Sequence, residues 1–187
     1  MNNTFYFLRH GKTKVDSGKP ISQWVLSDVG EEQALKCAQS GIFDEVDVIM
    51  VSGEEKSFQT AKPIADKLKK EIDKVEEINE LDRDKGGFLS SEKYEETVRY
   101  CLEHPLEIVN NWEMASKALK RFSKKIEEID KEYENKKILI VGHGYTINMY
   151  FAHLLGVIDQ VYKRLNTNTF ADWGIVKNGK VIKDISR

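Results

Sequence analysis

Lys137-Ile138-Leu139-Ile140-Val141-Gly142-His143-Gly144 is the stretch that decides the fold. Its apolar run is unbroken and β-branched enough to be buried on both faces, as a central strand of a parallel sheet must be. Gly142-His143-Gly144 then turns the chain into a helix predicted over about 145–155. The same arrangement opens the chain, where Phe5-Tyr6-Phe7-Leu8 runs into Arg9-His10-Gly11. Two buried strands that each end in a histidine beside a glycine put both imidazoles at the carboxyl ends of strands. Open α/β sheets hold their ligands there.

The rest of the chain fits around these two strands. Ser27-Asp28-Val29-Gly30-Glu31-Glu32 reads as a helix start, with Ser27 as N-cap and acids in the first turn, running to about Ser40 and closed by Gly41. Val46, Val48, Ile49, Met50 and Val51 predict a further buried strand that Ser52-Gly53 ends, followed by a helix over about 55–70. Pro63 inside that helix should kink it or mark a restart. A short third strand is predicted over 75–78. Residues 82–110 are the least regular part: a polar loop with Gly86-Gly87, a helix over about 91–103, then Pro105. A long amphipathic helix is predicted over about 111–134, with Trp112, Ala115, Leu119, Phe122, Ile126 and Ile129 on one side. Strands over 170–176 and 180–185 are joined by Asn178-Gly179, a hairpin signal.

Strands alternating with helices predict an α/β fold, a three-layer α/β/α sandwich with a mostly parallel central sheet. The 187 residues are enough for one domain with a sizeable core and short for two. No repeat, low-complexity segment or linker interrupts them. The expectation is a single domain over 1–187 with a small excursion at about 82–110.

Lys plus Arg number 29 against 31 Asp plus Glu, a net charge of −2, which does not advertise nucleic acid or an anionic membrane as partner. A hydrophobic share of 40% with 10% aromatics excludes a disordered chain. The apolar runs are far too short to span a bilayer. The start, Met1-Asn2-Asn3-Thr4-Phe5, has neither a basic region nor a long apolar one, and is not read as a secretory signal. Cys37 and Cys101 show no CxxC or metal-ligand spacing and read as reduced structural thiols of a cytoplasmic protein. His10, His104, His143 and His153 form no HxxxH or HxH pair, so neither a metal nor another cofactor is expected.

Glycine beside each strand-end histidine lets the backbone approach a ligand closely. Arg9 adds a planar, permanently charged donor, and the turn into the helix at Tyr145 is expected to leave free backbone N–H groups near His143. Two imidazoles, a guanidinium and helix N-termini together suit a phosphate group. Trp24, Phe88, Tyr94 and Tyr145 are candidates for a substrate entrance and equally for packing.

Leu8-Arg9-His10-Gly11-Lys12-Thr13 resembles the signature of the histidine phosphatase superfamily, which includes the cofactor-dependent phosphoglycerate mutases. Four further segments agree in order and spacing: Leu26–Ala34 with the family's first helix start, Phe58-Gln59-Thr60-Ala61 with its Gln-Thr-Ala, Ile78-Asn79-Glu80-Leu81 with the segment carrying its acid, and Val141-Gly142-His143-Gly144 with its second histidine. The resemblance spans about residues 4–177. It implies a histidine acid phosphatase-type phosphoric monoester hydrolase acting on a phosphorylated small molecule. His10 would be the nucleophile that forms a phosphohistidine. Arg9 and His143 would bind the phosphoryl oxygens. Glu80 would be the general acid and then base, with Asp82 as the fallback and a raised pKa expected for the role. Lys56, Thr13, Asp16 and Gly144 complete the implied phosphate pocket.

The chain departs from the family pattern at several points. Lys56 stands where the family has its second phosphate-binding arginine, keeping the charge but losing the bidentate fork. Two readings stay open: Lys56 is a working substitute, or it is a surface lysine and Arg83 or Lys12 supplies the missing charge. Glu54 and Glu55 would weaken anion binding if they faced the pocket. Asp16 replaces a usual asparagine, Ser52-Gly53 replaces Ser-Pro, and the Gly-x-Trp-Glu-Gly run is absent. The small excursion should let water reach a phosphohistidine, which favours hydrolysis. Mutase-type phosphoryl transfer and a catalytically weak phosphate-binding homologue are the alternatives. Nothing in the sequence sets the oligomeric state.

Overall fold

The apolar runs become the parallel strands of one sheet. The computed structural model describes residues 2–186. The chain runs through β1 (Thr4–Arg9), α1 (Asp28–Gln39), β2 (Val48–Val51), α2 (Glu55–Leu68), β3 (Asp73–Lys74), α3 (Ser91–Glu103), α4 (Ala115–Glu132), β4 (Lys137–Gly142), α5 (Gly144–Leu155), α6 (Val161–Leu165), β5 (Trp173–Lys177) and β6 (Lys180–Lys183). The sheet order is β3-β2-β4-β1-β5-β6. β3, β2, β4 and β1 are mutually parallel, and β5 and β6 run antiparallel along the β1 edge.

Alternation along β1 and β4 sorts side chains to two faces. Phe5, Phe7, Ile138 and Ile140 pack with Phe122 and Ile126 of α4 and Ile147 and Phe151 of α5. Leu8, Ile49, Val51, Leu139 and Val141 pack with Ala38 of α1 and Ala61, Ile64 and Ala65 of α2. Helices therefore cover both faces, giving the three layers expected. A third apolar cluster, including Val98 and Leu102 of α3, Trp112, Ala118, Tyr145 and Met149, seats α3 against α5.

Ser27 caps α1 by accepting from the Gly30 amide at 3.3 Å. The loop leaving β1 presses against this first turn: a Cβ on Gly30 would stand 2.1 Å from the Lys12 carbonyl oxygen, and one on Gly11 2.6 Å from that of Gly30. Glycine at both positions is what lets the loop after His10 lie there. Asn178 and Gly179 both have positive φ, 51° and 70°, as a tight hairpin turn requires.

Three details differ from expectation. α2 does not restart at Pro63 but is continuous through it, with buried Ala61, Ile64 and Ala65 holding it on the sheet despite the missing N–H. The third strand is Asp73–Lys74, and Glu76–Ile78 is a single 3-10 turn instead. Val75 and Ile78, the two apolar residues there, are three apart, a helical-turn spacing that no strand satisfies. The long helix starts only at Ala115, since Asn110 and Asn111 adopt left-handed backbone. Among the described residues, no helix is long and apolar enough to cross a membrane.

Phe7 is fully buried, with its ring 5.4 Å from those of Tyr150 and Phe151 and 6.2 Å from that of Phe122. Phe7→Ala should cost about 3–5 kcal/mol. Urea unfolding should show this as a lower midpoint with an unchanged slope.

Candidate active site

β1 and β4 pair in register, with Arg9 opposite Gly142. The residues that follow, His10 and His143, therefore emerge side by side, ring centroids 5.2 Å apart and planes at 62°. The His10 amide donates to the Gly142 carbonyl at 2.9 Å, extending the ladder to the histidine itself.

Nδ1 of His10 lies 2.7 Å from the carbonyl oxygen of Gly11. A carbonyl only accepts, so Nδ1 carries the proton and Nε2 keeps its lone pair. Burial, followed by the neighbouring His143 and Lys56, holds the His10 pKa well below that of an ordinary imidazole. The ring is neutral and has its nucleophilic nitrogen unprotonated.

Arg9 is fixed on one side. Nη1 donates to the carbonyl oxygen of Asn168 at 2.6 Å and to its Oδ1 at 3.0 Å, and the guanidinium lies 4.5 Å from the Phe170 ring centroid. Asn148 steadies Asn168 through a 3.0 Å hydrogen bond to the same Oδ1. A Cβ on Gly144 would come within 3.1 Å of this guanidinium, so glycine leaves Arg9 its place.

Lys56, in the first turn of α2, is only 2% exposed and is no surface lysine. Its Nζ pairs with Glu54 Oε2 at 2.5 Å and donates to the Ile21 carbonyl at 2.7 Å. His143 is fully buried, and its Nε2 lies 2.7 Å from Ser52 Oγ, 3.3 Å from Ser57 Oγ and 3.3 Å from Glu54 Oε1. Its Nδ1 has no hydrogen-bond partner among the described residues. Burial holds its pKa, too, well below the ordinary value.

Glu80 sits under the first turn of α5. Its Oε2 accepts from the Tyr145 amide, and its Oε1 from those of Thr146 and Leu81, each at 3.0 Å. The helix amides expected to be free for a phosphate thus hold the Glu80 carboxyl group, whose oxygens satisfy the same donors. The Glu80 backbone is pinned from both ends. Its amide donates to Glu54 Oε1 at 2.9 Å, and Arg121 Nη2 donates to its carbonyl at 2.7 Å.

A cavity of about 310 Å³ gathers Arg9, His10, Thr13, Lys56, Glu80 and Gly144 in its wall. Trp24, Arg83, Tyr94, Tyr145, Asn168 and Phe170 also line it. Of the other candidates, Asp16 is not in this wall: it pairs with Lys19 at 3.5 Å and caps the Gly18 amide. Lys12 is exposed outside it, whereas Arg83 lies within it. Phe88 lines an adjoining cleft with Arg83. Asp82 belongs to a larger cleft of about 530 Å³, where Glu54, Glu76, Glu80, Asp84 and Glu113 outnumber Arg83 and Arg121. Among the described residues, no group of three His, Cys, Asp or Glu is placed to hold a metal ion.

The structure adds Glu54, Arg121, Asn168 and Phe170 to the residues that build the site. Asn168 lies in a polar stretch with no periodicity, so no sequence signal marked it, and Phe170 reads as the start of a strand that begins only at Trp173. Glu54 had one signal, its position two residues before Lys56.

The model of the histidine phosphatase superfamily, branch 1, matches residues 5–177. The chain belongs to this superfamily. This histidine phosphatase chain is 30% identical over 137 residues to phosphoserine phosphatase 1 of Hydrogenobacter thermophilus, a match that covers 71% of the chain and 65% of the relative's length. In fold it is similar to a mycobacterial glucosyl-3-phosphoglycerate phosphatase, at a TM-score of 0.83 with 14% identity over the whole of both chains. It is also similar in fold to phosphoserine phosphatase of Entamoeba histolytica in complex with 3-phosphoglyceric acid, at a TM-score of 0.74 with 19% identity over 94% of this chain and 95% of that one.

Two buried neutral imidazoles leave a mark on stability. On unfolding they regain a pKa near about 6.5, so below that pH the unfolded chain binds protons that the folded chain does not. Their contribution is complete above that pH and declines as pH falls below it. His10→Gln should flatten the fall between pH 6.5 and 5 by up to about 1.4 kcal/mol per pH unit relative to wild type, read from urea unfolding at each pH.

Proposed function

We propose that the protein is a phosphomonoester hydrolase, of the histidine acid phosphatase type, that works through a phosphohistidine on His10. The observation that carries this reading is the state of His10: a neutral ring with Nδ1–H tied to Gly11 and Nε2 unprotonated, in one cavity with two arginines, Lys56 and Glu80.

Nε2 of His10 attacks phosphorus, and the bond from phosphorus to the ester oxygen breaks. Glu80 gives the departing oxygen a proton. Water then attacks phosphorus as Glu80 takes its proton, the N–P bond breaks, and phosphate leaves with His10 and Glu80 restored. Arg9 stabilises the equatorial oxygens, with its orientation set before substrate arrives by Asn168 and Phe170. His143 Nδ1, without a hydrogen-bond partner among the described residues, is left to donate to the same oxygens once protonated. Lys56 adds a cation that Glu54 partly neutralises.

Hydrolysis is favoured over mutase-type transfer by the names of the relatives, both phosphatases, and by an excursion that carries one helix, α3. Residues 1–187 then act as one domain, with the excursion at 82–110 lending Arg83 and Tyr94 to the pocket. The substrate is a phosphorylated small molecule. Cys37 and Cys101 are free thiols whose pKa burial raises to about 11, which suits a reducing, cytoplasmic setting.

With p-nitrophenyl phosphate, His10→Ala should lower kcat by on the order of 10³-fold or more. Wild type quenched in alkali during turnover should carry an acid-labile phosphoryl group on His10 by mass spectrometry. Equal rates for the two proteins would overturn the reading. Lys56→Arg tests the departure from the family: a guanidinium can keep one edge on Glu54 and turn the other to phosphate, so kcat/KM should rise several-fold. An unchanged value would show that Lys56 only balances Glu54.

A further inference from the structure

An asparagine amide has one accepting end and one donating end of nearly equal shape, and only the accepting end can hold an arginine. Both hydrogen bonds of Arg9 among the described residues go to Asn168, from Nη1 to its carbonyl oxygen and to its Oδ1. Phe170, whose ring faces the guanidinium, lies two residues further along the same stretch. Arg9 is therefore oriented only as well as residues 168–170 are.

Two backbone carbonyls settle which way the Asn168 side chain faces. A carbonyl only accepts, so each takes the NH2 end of an amide. Asn148 Nδ2 donates to the Gly144 carbonyl at 2.8 Å and, with its second hydrogen, to Asn168 Oδ1 at 3.0 Å. Asn168 Nδ2 donates to the Ile185 carbonyl at 3.2 Å. Turned over, Asn168 would set N–H groups against Arg9 and Asn148 and an oxygen against the Ile185 carbonyl. Both asparagines are buried, so a lost partner is not replaced by bulk water.

Gly144 is fixed as the first residue of α5. Ile185 lies beyond β6, outside the sheet, and side chains seat it. Its own is buried among Phe151 and Val176. Gly174 of β5 leaves it room, since a Cβ there would stand 2.9 Å from the Ile185 nitrogen. Asp184, one residue before it, takes both Nη groups of Arg164, at 2.9 and 2.5 Å. Ser186, one residue after, donates from Oγ to the Arg164 carbonyl at 3.0 Å and meets the Thr167 hydroxyl. Arg164 and Thr167 belong to the turn that leads into Asn168. The ion pair thus joins the two segments that meet at the Asn168 amide.

We propose that the Arg164–Asp184 pair is a positioning device for Arg9, acting by seating the Ile185 carbonyl against the Asn168 side chain. The inference rests on the phosphatase reading, in which Arg9 holds the phosphoryl oxygens. It adds two residues outside the cavity wall to those on which turnover depends. A bidentate pair suits the task because it fixes angle as well as distance.

The test is a double-mutant cycle read in two ways: kcat/KM for p-nitrophenyl phosphate, and the affinity for orthovanadate by calorimetry. Asp184→Asn keeps the shape and breaks the two-bond pair. It should lower both readouts about tenfold, the scale on which small misplacements of a catalytic group are felt. In Asn168→Ala protein, and equally in Arg9→Lys protein, the same substitution should change neither readout by more than about twofold, because the route it acts through is already cut. A merely structural role would lower stability by the same amount in every background and leave the readouts of the folded protein alone. Arg164→Lys, which keeps the charge and loses the fork, should lower both readouts about threefold, and it carries the cycle if Asp184→Asn does not fold. Readouts within twofold of wild type in the single variants, or equal losses in all three backgrounds, would overturn the inference while leaving the phosphatase reading intact. Wild type that binds orthovanadate but releases no phosphate from p-nitrophenyl phosphate would overturn the phosphatase reading, and the vanadate cycle would still decide the positioning of Arg9.

Discussion

The parallel ladder between β1 and β4 is the constraint on which the rest depends. Its register sets Arg9 against Gly142, and one residue further on it delivers two imidazoles to the same point above the sheet. Both strands are buried on both faces by α1 and α2 on one side and α4 and α5 on the other, so neither strand can slip without moving its apolar set. The chemistry of the site follows from that burial. Desolvation keeps both histidines neutral, and neutrality is what a nitrogen nucleophile needs.

The charged groups around the histidines fall into two kinds. Glu54 is a junction: it pairs with Lys56, approaches His143 Nε2 and accepts the Glu80 amide. A buried carboxylate with three such partners holds the first turn of α2, the end of β4 and the acid-bearing segment in one arrangement. It also removes from Lys56 part of the attraction for phosphate that an arginine free of a partner would keep. Glu80 accepts from the Tyr145 and Thr146 amides at the start of α5 and from the Leu81 amide beside it. That position stores the carboxylate close to His10 in a defined orientation, with the polar cost of burial already met by backbone donors.

Much of this was legible in the residues. The runs at 5–8 and 137–141 are apolar without alternation, which only a doubly covered strand tolerates, and they gave the sheet and both histidines. Ser27 with its acidic first turn and Asn178-Gly179 are local signals that tertiary packing had no reason to override. What was not legible was decided at a distance. Asn168 lies 159 residues from the arginine it orients, and Arg121 reaches back across more than 40 residues to the carbonyls of Glu77, Asn79 and Glu80. Neither contact leaves a periodicity. The strand expected over 75–78 failed because two apolar residues three apart satisfy a helical turn as well as a short strand satisfies them two apart, and burial of Ile78 beneath α4 chose the turn.

Arginine pairing separates what supports the fold from what awaits a ligand. Arg121 binds Glu113 through Nε and Nη2 and spends Nη1 on the Glu77 and Asn79 carbonyls, so its fork is full and it acts as a brace. Arg164 binds Asp184 through both Nη groups. Arg9 and Arg83 are instead held by ring faces and by neutral oxygens of Asn168 and Tyr94. Such partners fix where a guanidinium lies without pairing it directly to a carboxylate among the described residues. An ion pair would have fixed it as well and quenched it. The difference has a thermodynamic consequence: Glu80 and Asp172 act on Arg9, and Glu80 and Glu54 on Arg83, from beyond ion-pair contact, so an anion that reaches either guanidinium gains affinity from orientation already in place.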